Sequence, residues 1–210
     1  MKRIILTTIA VLLLFIIGSA AWYAYKMKAA PPVKAAVSLG STLLKKVHSK
    51  GSSLEKYAKE NKCNTEICFL IDMKINSGSN RFFIYNMKKD SVLASSLVAH
   101  GRCNEDWLTG RKYGNDVGCG CTSLGKYKVG TPYQGRFGLA YKLHGLDATN
   151  NNAFKRFVVL HSHECVPNAE VDPYPICQSD GCPTVSAAFL KKLAGILDKS
   201  SKPVLMHIYE

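Results

Sequence analysis

The fold and the site of this chain are decided by the stretch Ser179-Asp180-Gly181-Cys182-Pro183-Thr184-Val185-Ser186, read together with Phe157-Val158-Val159-Leu160-His161-Ser162-His163 before it. A cysteine between a glycine and a proline, just before an apolar helical run, suits an exposed nucleophile better than a core position. The upstream run has the composition of a buried strand, from whose end an imidazole can reach a cleft. The two stretches together predict a cysteine–histidine pair at a strand-to-helix turn.

The local geometry expected at this turn favours a reactive thiol. Gly181 permits a sharp turn, so that the amides of Gly181 and Cys182 can converge on one point as an oxyanion site. Pro183 suits the first turn of a helix predicted from about residue 185 to 197, which places Cys182 where the helix dipole favours a thiolate. His161 and His163 share one face of their strand by period-2 alternation, so His163 is the alternative base. The ordinary alternatives are hydrogen-bonded strand histidines and a cysteine bridged in a disulfide.

The amino terminus predicts export. An uncharged apolar run of 22 residues, Ile4 to Tyr25, follows the basic head Met1-Lys2-Arg3. Such a run is long enough to cross a bilayer as a helix, and basic residues stay on the cytoplasmic side. We predict a signal anchor over residues 1–28 with the rest exported to the cell envelope, on the periplasmic side. A cleaved signal peptide, with a cleavage site at Ser19-Ala20-Ala21, is the alternative.

The eight cysteines also fit an oxidising compartment, in which most of them would be bridged. If Cys182 is kept free, seven remain, so at least one more is free or pairs between chains. Short spacing in the sequence favours two local disulfide bridges, and one further cysteine could form a bridge with either of two others. These candidates are Cys63 with Cys68, Cys165 with Cys177, and Cys103 with either Cys119 or Cys121.

A metal site is a weaker interpretation of the Cys119-Gly120-Cys121 motif, with His100, Cys103 or His144 as further ligands. Zinc sites usually draw on cysteines that are two to four residues apart. We therefore expect neither a metal nor another cofactor.

The net charge of +13 is distributed unevenly. Residues 1–60 contain ten of the 28 Lys and Arg but only two of the 15 Asp and Glu. No helix-turn-helix, zinc-finger or aromatic RNA-binding signature accompanies this charge, so nucleic acid is not the expected partner. Attraction to anionic lipid or to an anionic wall polymer explains it better.

The chain divides into three parts by pattern. Residues 29–64, after the anchor, are predicted to be a basic linker with an amphipathic helix that Gly51-Ser52-Ser53 interrupts. Residues 65–210 show short strands, a hairpin signal at residues 76–80 and a polar loop over residues 101–124. A helix and a final strand close this part, which predicts a β-rich α+β domain.

The quoted motifs resemble the signature of the YkuD-like L,D-transpeptidases, in which a histidine followed by glycine or serine leads to Ser-X-Gly-Cys. The chain is most similar to the murein L,D-transpeptidase catalytic domain family, where a proline follows the cysteine and Asn-Ala and Arg precede the histidine strand. Here these appear as Asn152-Ala153 and Arg156. The resemblance covers roughly residues 65–210 and includes three upstream stretches: Ala99-His100-Gly101, Ser123-Leu124-Gly125-Lys126-Tyr127 and Tyr133-Gln134-Gly135-Arg136-Phe137-Gly138.

The resemblance implies a mixed-sheet or β-sandwich domain in which Cys182 is the nucleophile and His161 the base. It also implies that the carbonyl of Ser162 orients the imidazole and that the amides of Gly181 and Cys182 bind the oxyanion. Such enzymes form a thioester with a peptidoglycan stem peptide, release D-alanine and pass the acyl group to an amine. With water as the acceptor, the same site is an L,D-carboxypeptidase.

Two residues depart from the family pattern: Asp180 replaces the usual His or Trp, and Ser162 replaces a glycine. A carboxylate at position 180 is expected to raise the pKa of the neighbouring thiol. Tyr133, Tyr141 and His163, with Asp180, are the candidate substrate contacts. The alternative functions are a cysteine peptidase acting on wall peptides and a disulfide-stapled wall-binding module without turnover. The oligomeric state is left open.

Overall fold

The computed structural model describes residues 40–210 together with Gly18, Ser19 and Trp22. The predicted anchor over residues 1–28 therefore lies almost entirely outside the described residues. In the part of the chain that is described, no helix has the length and hydropathy needed to cross a membrane.

A mixed sheet with a helix against each face makes up the described domain. The eight strands form one hydrogen-bonded sheet in the order β3-β2-β1-β8-β4-β5-β6-β7, and all neighbours are antiparallel except β1–β8 and β6–β7. The predicted β-rich α+β class is confirmed, with one continuous sheet rather than two. The elements are α1 Ser41–Glu60, β1 Ile67–Asp72, β2 Phe82–Asn86, β3 Ser91–Ser96, β4 Gly125–Gly135, β5 Gly138–Gly145, β6 Val159–Ser162, β7 Thr184–Val185, α2 Ala187–Leu197 and β8 Leu205–Tyr209.

Strand β1 is buried on both faces because a helix covers each side of the sheet. Cys68 and Leu70 belong to the apolar cluster that receives α1, whereas Phe69 and Ile71 belong to the larger cluster that receives α2. The alternation follows from the period of two in a strand. A run of consecutive apolar residues is therefore what this central strand requires.

Helix α1 is continuous, so the predicted interruption at Gly51-Ser52-Ser53 is wrong. Gly51 is buried against the ring of Tyr85, and a Cβ placed there would lie 2.2 Å from Tyr85 Cε1. The glycine therefore allows the helix to approach the sheet closely rather than breaking it. Val47, Leu54 and Ala58 of the same helix are buried in the cluster beneath it, so the helix packs on the domain that the sheet builds.

Two cysteine pairs lie at disulfide distance: Cys103 with Cys121, and Cys165 with Cys177. The expected bridge between Cys63 and Cys68 is not formed. Cys68 is fixed within β1 and faces the cluster under α1, while the thiol of Cys63 donates to the carbonyl of Asn61 at 3.5 Å. Both thiols are free and buried, and Cys119 is also free.

The contact between Gly51 and Tyr85 predicts opposite effects for two Gly→Ala substitutions. Gly51→Ala gains helix propensity but forces a methyl group into a buried ring, so we expect a net loss of about 1–2 kcal/mol of unfolding free energy. Gly195→Ala in α2 meets nothing within 4 Å and should gain about 0.5–1 kcal/mol. Urea unfolding of both variants measures the difference, and a stabilising Gly51→Ala would contradict the close approach.

Candidate active site

His161 is positioned by the pairing of its strand on both sides. It lies opposite Ala140 of β5 and opposite Thr184 of β7. Its Nδ1 is 3.1 Å from the carbonyl oxygen of Ser162, and its Nε2 is 3.0 Å from Thr184 Oγ1. Because a carbonyl only accepts hydrogen bonds, Nδ1 carries the proton in the neutral ring and Nε2 presents a lone pair.

Cys182 does not lie at a helix N-terminus, so that prediction is wrong. The two residues Thr184 and Val185 form β7, which pairs in parallel with His161 and Ser162. Helix α2 begins only at Ala187, after Ser186 caps it by accepting from the amide of Phe189. The β-branched pair Thr184-Val185 favours a strand, and Ser186 is a strong N-cap, so both residues move the helix start away from the cysteine. The helix dipole therefore does not activate this thiol.

The thiol of Cys182 is held by backbone groups of the segment before β6. The amide of Val159 donates to its Sγ at 3.4 Å, and the carbonyl of Phe157 lies 3.8 Å from the same sulfur. Burial is the largest influence on the pKa of the Cys182 thiol and raises it. The hydrogen bond from Val159 and the cation of Arg156 lower this pKa, and the carboxylate of Asp180 raises it. The net result is a pKa above the usual value, so the thiol is protonated at neutral pH.

The imidazole partner is also uncharged at neutral pH. Burial lowers the pKa of His161, its bond to the Ser162 carbonyl raises it, and His163 lowers it, with a net shift below the usual value. His161 and Cys182 line the same cavity of about 210 Å³. The two groups at this cavity are therefore both uncharged at neutral pH, rather than a preformed ion pair.

Gly181 shapes the turn that carries the cysteine. Its φ of +108° is accessible to glycine but strained for other residues, and a Cβ would lie 2.7 Å from the carbonyl oxygen of Cys121. That same carbonyl accepts from Arg156 Nη2 at 2.6 Å. The Gly181 amide donates to Ser179 Oγ at 3.2 Å, and this hydroxyl in turn donates to the carbonyl of Cys182 at 2.7 Å. The turn is thus fastened internally and to the loop that contains Cys121.

Asp180 lies at the rim, with its side chain 77% exposed and paired to Arg102. The Nε of Arg102 donates to Asp180 Oδ1 at 2.8 Å. The guanidinium offsets part of the negative charge next to the thiol, although Asp180 still raises the thiol pKa. The departure from the family pattern at this position is therefore accompanied by a cation.

Aromatic and disulfide groups wall the cavity on the side of His161. The ring of Phe137 stacks on His161 with centroids 4.8 Å apart and meets His163 edge-on at 5.5 Å. His163, Cys165 and Cys177 also line the cavity. The Nδ1 of His163 accepts from the amide of Cys165 at 3.2 Å, so this ring orients the loop next to the bridge.

The structure places the two candidate tyrosines elsewhere. Tyr141 is buried and its hydroxyl donates to Asp198 at 3.2 Å, whereas Tyr133 lies in the β4–β5 hairpin near the ammonium of Lys142. Neither residue lines the cavity that contains Cys182. Sequence reasoning missed Thr184 and Phe137 as site residues. For Thr184 the sequence did contain a signal, because this hydroxyl residue follows the cysteine by two positions and would lie near it in an extended segment.

The candidate metal ligands are dispersed. Cys103 is bonded to Cys121, His100 faces Arg81, and His144 stacks on Phe154. Among the described residues, no group of three or more His, Cys, Asp or Glu is placed to hold a metal ion.

One cavity is thus lined by a free thiol and by an imidazole whose orientation is fixed, the two groups that nucleophilic catalysis by cysteine uses. A family model for the L,D-transpeptidase catalytic domain matches residues 40–208. The chain belongs to this family of L,D-transpeptidase catalytic domains. No curated protein sequence matches the chain.

The solved structures that the chain matches are distant from it in sequence. The helical cell shape determining protein Pgp2 from Campylobacter jejuni is 12% identical with a TM-score of 0.43, over 69% of this chain and 48% of that one. An L,D-transpeptidase from Mycobacterium smegmatis is 12% identical with a TM-score of 0.38, over 68% and 58%. The Ldtfm–avibactam carbamoyl enzyme is 13% identical with a TM-score of 0.43, over 69% and 49%. The chain thus spans about half the length of the first structures that it matches.

The neutral state of the pair predicts the pH dependence of thiol reactivity. A raised thiol pKa means that the thiolate fraction grows with increasing pH, so alkylation of Cys182 by iodoacetamide should still accelerate above about pH 8. Asp180→Asn removes a like charge and should shift this profile to lower pH. Peptide mapping by mass spectrometry separates Cys182 from Cys119. A rate that is already maximal near about pH 6 would instead indicate a preformed ion pair.

Proposed function

We propose that this chain is a peptidoglycan-modifying cysteine acyltransferase that forms a thioester with a stem peptide and transfers it to an amine. Membership of the L,D-transpeptidase catalytic domain family and the oriented Cys182–His161 pair support this proposal. The observation that carries it is the hydrogen bond from His161 Nδ1 to the Ser162 carbonyl, because that bond leaves Nε2 as the base.

The proposed reaction begins when Cys182 Sγ attacks the carbonyl carbon that precedes the terminal D-alanine. The thiol proton passes to His161 Nε2, and the imidazolium then gives a proton to the leaving amine of D-alanine. An acceptor amine then attacks the thioester carbonyl carbon and gives one proton to the neutral Nε2 of His161. The C–S bond breaks, and the imidazolium gives that proton to the Cys182 sulfur, which restores the thiol. Atoms and charge balance over the two half-reactions.

The hydroxyl of Thr184 can adapt its hydrogen bonds to the protonation state of His161. This hydroxyl lies 3.0 Å from His161 Nε2 and 3.2 Å from the carbonyl of Cys182. A hydroxyl has one proton and accepts as well as donates. In the neutral ring its single proton can go to the Cys182 carbonyl, which leaves the Nε2 lone pair free for the thiol proton. Once the ring is charged, the hydroxyl can keep that bond and accept from Nε2–H.

The oxyanion of the proposed intermediate is assigned mainly to the amide of Cys182. Among the described residues this N–H has no acceptor, whereas the Gly181 amide donates to Ser179 Oγ at 3.2 Å. A donor that has no other acceptor can stabilise developing charge without first breaking a hydrogen bond. The Gly181 amide contributes only if Ser179 releases it.

We place the proposed reaction in the cell envelope, where the predicted export would deliver the domain. The two cysteine pairs at disulfide distance support an oxidising compartment. The membrane anchor and the peptidoglycan partner remain parts of the proposal.

Trapping with a carbapenem tests the nucleophile and the base in the full chain. We expect one covalent adduct by intact mass, its loss in Cys182→Ala, and a rate at least about 100-fold lower in His161→Ala, because a positioned base contributes that much. His163→Ala should retain most of the rate, since His163 makes its hydrogen bond to the loop at Cys165. No adduct on the unmodified chain would favour the non-catalytic wall-binding module.

Incubation with tetrapeptide-containing muropeptides identifies the acceptor. Cross-linked dimers are the expected products of transfer to an amine. Release of D-alanine with monomers alone would assign the chain as a carboxypeptidase, with water in place of the amine.

A further inference from the structure

A second cavity lies beside the one that contains Cys182. It has a volume of about 330 Å³ and shares the side chain of Gln178 with the catalytic cavity. Gln178 is fixed in this dividing position because its Oε1 accepts from the amide of Leu108 and its Nε2 donates to the carbonyl of Leu108, both at 2.8 Å. The two cavities therefore adjoin at Gln178, and an extended molecule that lies across this side chain would contact both.

Two guanidinium groups line this second cavity. Arg81 is only 2% exposed, and its Nε and Nη2 donate to the carbonyl of Val98. Arg111 is exposed, and its Nε and Nη2 donate to the carbonyls of Met73 and Lys74. These bonds leave Arg111 Nη1 without an acceptor among the described residues. None of the described residues that line the cavity is an Asp or a Glu.

His100 adds a further donor rather than an acceptor. Its Nδ1 is 3.0 Å from Arg81 Nη2, which can only donate, so Nδ1 accepts and Nε2 carries the proton. That buried Nε2 has no hydrogen-bond partner among the described residues. Burial, followed by the cations of Arg81 and Arg111, lowers the pKa of His100 to about 4, so the ring is neutral at neutral pH and its Nε2–H is a donor.

The outer wall of the cavity is rigid and partly apolar. A Cβ at Gly78 would lie 2.0 Å from the carbonyl oxygen of Tyr174, and the Gly78 carbonyl accepts from the amides of Val171 and Asp172. The segment that carries Pro173 and Pro175 is thereby held against the domain. Trp107, half exposed at the cavity, offers an aromatic face beside the cations.

We propose that this second cavity binds a non-terminal carboxylate of the donor stem peptide while the acyl carbon lies at Cys182. The inference rests on the proposed function and adds a specificity site to it. A stem peptide carries carboxylates along its length, on its γ-linked glutamyl residue for example, and a guanidinium with free N–H groups recognises a carboxylate by charge-assisted hydrogen bonds. Arg111 supplies those free groups, and buried Arg81 supplies fixed positive charge behind them.

The test compares two stem tetrapeptides that differ only in their non-terminal carboxylates, which are free in one and amidated in the other. D-alanine release by the full chain gives kcat/KM for each. We expect the wild type to prefer the free carboxylates by about tenfold, the size of a charge-assisted interaction. Arg111→Gln should reduce this ratio to about 1, mainly through KM for the free peptide.

Lys112→Gln is the matched control, because Lys112 is the adjacent exposed cation and does not line the cavity. It should keep the tenfold preference. Equal rates for the two peptides in the wild type, an unchanged preference in Arg111→Gln, or an equal loss in Lys112→Gln would each overturn the proposal. Carbapenem labelling should be normal in Arg111→Gln, which separates a lost binding site from a misfolded variant.

The same experiment separates this inference from the proposed function. A wild type that is labelled by the carbapenem but shows no preference refutes the carboxylate site alone. A wild type that is neither labelled nor releases D-alanine refutes the proposed function, and the carboxylate site with it.

Discussion

The parallel pairing of β6 with β7 is the constraint on which the site depends. This pairing sets the candidate base His161 opposite Thr184, whose hydroxyl contacts the imidazole. Cys182 lies two residues before Thr184 and is thereby held in the same arrangement. Parallel strands need a long connection. In this chain the connection runs from His163 to Pro183 and supplies the wall of the cavity, including the pair Cys165–Cys177.

The electrostatics of the thiol are decided by burial. One cation, Arg156, and one backbone amide favour the thiolate, but desolvation is the largest influence and Asp180 acts in the same direction. The helix that follows the cysteine, α2, begins only at Ala187, so its N-terminus does not add to the influences that favour the thiolate. In the proposed reaction, a neutral pair requires proton transfer to accompany attack. The orientation of His161 by the Ser162 carbonyl would then be more important than the charge of the ring.

The class of the fold could be predicted from the sequence because short apolar runs indicate strands. The proximity of the two site motifs could also be predicted, because Gly-Cys-Pro is an unusual sequence for a buried core position. The sequence did not predict correctly where the helix after Cys182 begins. The strand between them has only two residues, which is too short to show a period, and both Pro183 and Ser186 are signals for a helix start. The prediction also failed at Gly51 because a glycine in a helical pattern has two meanings, a break or a close contact. Only the position of Tyr85 across the interface distinguishes them.

Arg102 and Arg111 show how one polar loop can serve two adjacent cavities. Both belong to the segment over residues 101–124, which has no long strand or helix of its own and is fastened by the Cys103–Cys121 pair. Arg102 pairs with Asp180 at the rim of the catalytic cavity, so its charge is already offset there. Arg111 bonds only to backbone carbonyls, which orient a guanidinium without neutralising it. The positive charge that the loop can offer an anionic substrate is therefore concentrated in the second cavity, beyond Gln178 and away from the thiol.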